Sequence, residues 1–108
     1  MVKALVEVDA GVCGFTTRIE AWSKDGDRVG LRIESDCANV RILGEELSEV
    51  DPMAVLFGGA KDALALSAAD RQPLHRACAV PTGIFKAVEV AAGLALPGDV
   101  AIKVRRGE

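Results

Sequence analysis

Between residues 15 and 34 the chain changes sides at almost every position. Phe15, Thr17, Ile19 and Ala21 alternate with Thr16, Arg18, Glu20 and Trp22; Val29, Leu31 and Ile33 alternate with Arg28, Gly30, Arg32 and Glu34. A period of two belongs to the β-strand, whose successive side chains point to opposite faces. Ser23-Lys24-Asp25-Gly26-Asp27 separates the two runs, and Gly26 suits a turn with positive φ. The pattern predicts a β-hairpin with one apolar face that another element must cover. The run 2–8, with Val2, Ala4, Val6 and Val8 on one side, predicts a third strand.

After residue 35 the period lengthens. Val40, Leu43 and Leu47 are spaced for one face of a helix, and Ser35 or Asp36 can cap its start. Asp51-Pro52 opens a short helix, because Asp caps well and Pro fits the first turn. Gly58-Gly59 stops it. Residues 60–69 are rich in Ala and Leu and predict another helix, which Asp70-Arg71-Gln72-Pro73 breaks. A last helix starts near Pro81, carries Ile84, Ala87, Val88 and Ala91 on one face, and ends at Gly93. Val100, Ile102 and Val104 alternate again and predict a short C-terminal edge strand. Strands first and helices afterwards is an α+β layout: a three-stranded antiparallel sheet with helices packed on one face. A length of 108 residues fits one such domain over the whole chain, 1–108. Three Phe, one Trp and no Tyr leave its core to Val, Leu, Ile and Ala.

Charge narrows the function classes. The net charge is −3, with acidic and basic residues interspersed. Nucleic-acid binding needs clustered Lys and Arg, and only Lys103-Val104-Arg105-Arg106 is locally basic. No apolar run approaches the roughly 20 residues of a membrane span, and the N-terminus reads as a strand rather than a signal peptide. The expected compartment is therefore the cytoplasm. An odd number of cysteines in reducing surroundings points to free thiols or metal ligands, not a disulfide framework.

The three cysteines stand at element starts: Cys13 before the hairpin, Cys37 where strand gives way to helix, and Cys78 before the last helix. If the fold gathers these starts, it makes a thiol-rich pocket. A helix N-terminus favours the thiolate, and soft thiolates select zinc, copper(I) or an iron–sulfur cluster. His75, three residues before Cys78, and Asp36 can supply a fourth ligand; Asp9 is a further option. The bland reading competes: the gaps of 24 and 41 residues fit no zinc-finger template, and unbonded cysteine often packs as a small hydrophobe. Trp22, opposite Ile19, either marks an interface or covers a neighbouring strand.

The layout resembles the NifU/IscU-type iron–sulfur scaffold family. Val12-Cys13-Gly14 resembles that family's early Ala-Cys-Gly; Asp36-Cys37 resembles its Gly-Cys at a strand-to-helix junction. His75 and Cys78, followed by Gly83-Ile84-Phe85-Lys86-Ala87-Val88, resemble its late His-Cys before a final helix. The TSCPD domain found on some ribonucleotide reductases is similar in plan, its Ser-Cys-Pro-Asp resembling Cys78-Ala79-Val80-Pro81. The resemblance implies the α+β fold and a metal or cluster held by Cys13, Cys37 and Cys78. It departs where Phe15 replaces the family's Asp, where two residues separate His75 from Cys78, and where the proline-rich chaperone segment shrinks to Gln72-Pro73-Leu74. A degenerate or specialised relative, or a separate uncharacterised family with the same fold, fits better than a working cluster-transfer scaffold. Three functions follow as expectations: a metal or iron–sulfur protein; a metal-free interaction or structural domain that forms a homo-oligomer; and a thiol redox protein using Cys37 or Cys78. A non-enzymatic role is the expectation, because His75 is the only general base near a thiol.

Overall fold

A computed structural model describes residues 3–24, 28–57 and 78–107. Four strands form one antiparallel sheet in the order β1-β2-β3-β4: β1 (Lys3–Asp9), β2 (Thr16–Ser23), β3 (Val29–Ser35) and β4 (Glu49–Val50). Each of the first three begins one residue later than the alternation predicts. The register runs from Lys3 opposite Trp22 to Asp9 opposite Thr16, and from Ser23 opposite Val29 to Thr17 opposite Ser35. The fourth strand is not the expected one. Val29 and Gly30 pair with Val50 and Glu49, whereas residues 96–107 carry no regular structure and stand exposed. Alternation in the C-terminal segment gives it the right side-chain period, but among the described residues no strand pairs with it.

Among the described residues three α-helices pack with this sheet in an α+β fold: α1 (Ala38–Glu46), α2 (Pro52–Phe57) and α3 (Val80–Ala91). They start and stop where the sequence chemistry directs. Asp51 Oδ1 accepts from the backbone N–H groups of Met53 (3.0 Å) and Ala54 (3.4 Å), capping α2. Gly93 follows α3 at φ 75°, and Leu94 N–H reaches back to Glu89 O at 2.9 Å, closing the helix in a Schellman-type turn. The predicted turn at Asp25–Asp27, the stop at Gly58-Gly59, the helix over 60–69, the break at 70–73 and His75 lie outside the described residues.

α3 crosses β1 and β2, α1 packs on β3, and α2 packs against α3. Ile19, Ala21, Val29 and Leu31 of the sheet are buried with Val40 and Leu43 of α1 and with Ile84, Ala87, Val88 and Ala91 of α3. Gly83 sets how closely α3 approaches: a Cβ there would lie 2.5 Å from Val8 Cγ2 and 3.3 Å from Ile19 Cδ1. The opposite face of the sheet is charged, with Lys3 3.3 Å from Glu20, Arg18 3.8 Å from Glu7 and Arg32 2.8 Å from Glu34. Trp22 lies on that face with its indole over Gly30, where any Cβ would fall inside the ring. Trp22 thus covers the neighbouring strand at Gly30. Among the described residues no helix is long and apolar enough to cross a membrane.

Candidate functional site

The β1–β2 connection is a compact loop. Ala10 N–H donates to Phe15 O (3.1 Å), Gly14 N–H donates to Gly11 O (2.9 Å), and a single 3-10 turn spans Gly11–Cys13 between them. Gly11 and Gly14 have φ of 77° and 72°, in the left-handed region that disfavours other residues. Nothing lies within 4 Å of where a Gly14 Cβ would be. Gly14 therefore serves backbone conformation, not the close approach that its place beside Cys13 suggests. The loop lifts Cys13 into solvent, its Sγ 3.8 Å from Ala10 O.

Cys37 is placed by a polar relay. Thr17 is 1% exposed, and its Oγ1 lies 2.7 Å from Ser35 Oγ on the next strand. Ser35 Oγ also accepts from Cys37 N–H at 3.1 Å, and Asp36 N–H donates to Thr16 O at 3.4 Å. Arg41 Nη1 holds Ser35 O at 3.2 Å from the first turns of the helix. The N-cap position of α1 belongs to Cys37 itself, with no side-chain capping bond. Neither of the two expected caps, Ser35 or Asp36, takes that position; Ser35 instead fixes the residue that enters the helix. Thr17 and Ser35 carry this placement; the sequence shows them only as polar members of two alternating runs, and pairing alone puts them opposite each other.

Cys78 lies two residues before α3 and is half-buried, packed on the edge of the core as Cys37 is. Gly83, five residues further on, rests on Val8, one residue from the end of β1. All three thiols thus belong to connections at the Asp9–Thr16 end of the sheet. Beside them Thr16, Arg18, Glu34, Ser35 and Asp36 line a shallow polar depression.

Thiols from three separate connections suit a soft ion in chemical type. Their spacing does not form a ready site: among the described residues, no group of three or more His, Cys, Asp or Glu could hold a metal ion. Cys13, Cys37 and Cys78 share an end of the sheet without meeting, Asp36 stands next to Cys37 in sequence, and His75 lies outside the described residues. Among the described residues, a carboxylate held away from its ordinary range lies elsewhere. Glu49 accepts from Lys24 Nζ at 2.9 Å and from Arg28 Nε at 3.0 Å, and these two bonds hold its carboxyl below the ordinary glutamate range.

A family model described as a family of unknown function (DUF6951) matches residues 4–104, so the chain belongs to that family. No curated protein and no solved structure matches it.

Proposed function

We propose that this member of a family without an assigned activity binds a soft metal ion or an iron–sulfur cluster through Cys13, Cys37 and Cys78. Asp36 or His75 is the fourth ligand. The observation that supports the reading is the position of the three thiols, one on each of three connections at the same end of the sheet. Sulfurs on one zinc lie about 2.3 Å from it, hence within roughly 4 Å of each other. The reading therefore requires the three connections to draw together on binding. The Cys13 loop is the one most able to move, because its thiol is exposed and the Sγ contact with Ala10 O, like the loop's backbone bonds, stays within the loop. The proposed compartment is the cytoplasm, whose reducing conditions keep such thiols available.

Anaerobic purification with metal analysis and a visible spectrum tests this. About one zinc, or iron with a thiolate charge-transfer band, is expected per chain or per shared site. Each of Cys13→Ala, Cys37→Ala and Cys78→Ala should lose it while keeping the circular dichroism of the parent. Metal-free, colourless protein after loading with zinc and with iron plus sulfide would end the reading.

A second reading, a metal-free domain that self-associates, is supported by a different observation. β1 hydrogen-bonds to β2 on one side, and among the described residues no strand pairs with its other side.

A further inference from the structure

Beyond α3 the chain forms an arm, residues 96–107, every residue of which is exposed. Solvated tails are polar, because apolar groups in water gain nothing from exposure. This arm is not: Leu96 is 91% exposed, Val100 57%, Ile102 75% and Val104 88%. The last three alternate with Ala101, Lys103 and Arg105, the pattern of a strand with one face to bury. The same molecule carries the counterpart. β1 is a seven-residue edge strand with an unpaired side, its Ala4, Val6 and Val8 facing α3 and its Lys3, Leu5, Glu7 and Asp9 facing outward.

Charge selects how the two fit. Placing Val100, Ile102 and Val104 beside Ala4, Val6 and Val8 leaves two in-register arrangements. The antiparallel one sets Arg105 against Lys3 and Asp99 against Asp9, two like-charged pairs. The parallel one sets Asp99 beside Lys3, Lys103 beside Glu7 and Arg105 beside Asp9, three opposite-charged pairs, with Ala101 beside the exposed Leu5. The intramolecular partners of Lys3 and Glu7, Glu20 and Arg18, lie on the far side toward β2 and leave the outer side of β1 open.

We infer that the arm of one molecule adds as a fifth, parallel strand to β1 of a second copy, and that the second copy returns its own arm, closing a symmetric dimer. The inference rests on the self-association reading and names its surface. In the structure the arm lies free of its own β1, which leaves both halves of the contact available to another molecule. Strand addition supplies backbone hydrogen bonds to an edge that pairs with no strand among the described residues, and reciprocal exchange uses both arms and both β1 edges, so the same contact cannot propagate into a filament.

Two full-length variants test it by sedimentation velocity over a concentration series at low salt. One carries Lys103→Glu and Arg105→Glu; the other carries Glu7→Lys and Asp9→Lys. The parent should be dimeric. Each variant alone should dimerise about tenfold or more weakly, since two of its three charged contacts then oppose like charges and only Asp99 beside Lys3 is kept. A one-to-one mixture should recover the parent affinity, because each arm now meets the complementary edge on the other variant. Arms folded back on their own β1 cannot produce that rescue, so a parent monomer with slowly exchanging amides over 99–105 overturns the inference. So does a dimer indifferent to both variants, although the self-association reading survives it. A parent that stays monomeric at every concentration with freely exchanging arm amides removes both.

Discussion

At one edge of the sheet β4 contributes two residues and is tied down; at the other, β1 runs seven residues and, among the described residues, no strand pairs with its outer side. The β4 edge is protected three times over. Glu49 is clamped by Lys24 and Arg28 across the mouth of the β2–β3 hairpin. Leu31 N–H donates to Ser48 O at 2.9 Å, carrying the pairing one step past β4. α1 packs over β3 with Gly44 so close that an added Cβ would lie 3.0 Å from Ile33 Cβ. The β1 edge has α3 across its inner face and, around the exposed Leu5, the charged Lys3, Glu7 and Asp9 on its outer face. Charges keep random strands from adding to an edge, and their order selects a strand with the complementary order. The contrast separates an edge closed by the fold from one closed only by specificity.

The closed side depends on α1, so the largest effect belongs to Leu43, which is fully buried. Leu43→Ala should cost about 3 kcal/mol, the usual loss for deleting a buried Leu side chain with incomplete collapse, measured by urea denaturation. The edge of β3 would then be poorly covered, and the variant should also aggregate more readily during refolding. A loss below about 1 kcal/mol would mean that α1 is not seated as the close approach of Gly44 requires.

On the open side the sensitive position is Gly83. A methyl group pushed into a packed contact costs about 1–3 kcal/mol, and replacing Gly by Ala inside a helix returns about 1 kcal/mol. Val8 blocks the space at 2.5 Å but is only half-buried, while the fully buried Ile19 stands at 3.3 Å, so the cost falls near the middle of that range, at about 2 kcal/mol. Gly83→Ala should therefore destabilise by about 1 kcal/mol. Val8→Ala vacates the obstructed space; added to Gly83→Ala, it should bring the double variant level with Val8→Ala alone or above it. A Gly83→Ala protein more stable than the parent would show that α3 stands off β1.

Much of this arrangement can be read from residue order. Alternation over 15–34 defines the hairpin because a strand buried on one face cannot slip register without turning that face to water. Asp51 and Gly93 mark helix ends because few other residues satisfy those backbone groups so well. The rest depends on distance. β4 is too short to carry a period, so Glu49-Val50 reads as the gap between two helices. The arm has a strand's period and no strand beside it, since periodicity describes side chains and not partners. Placing each cysteine at an element start was within reach of the sequence. How far apart their sulfurs stand was not, because that follows from loop geometry such as the left-handed glycines around Cys13.

The smallest effect concerns the Glu49 clamp. Two cationic donors hold its carboxyl below the ordinary glutamate range, so the folded state favours the charged form. The stability this contributes is present at neutral pH and is lost as the pH falls through the lowered folded value. The site is open to solvent and salt screens it. Glu49→Gln should therefore lower the midpoint of thermal unfolding slightly at pH 7 and low salt. The gap between parent and variant should close below the glutamate range, and also in about 1 M salt. Sizing of the same variant at pH 7 sharpens the comparison of edges. New association through the β4 side would show that the clamp guards that edge. An unchanged elution volume alongside the lost stability would assign the guarding to α1, and the clamp would then serve only to fasten the mouth of the hairpin.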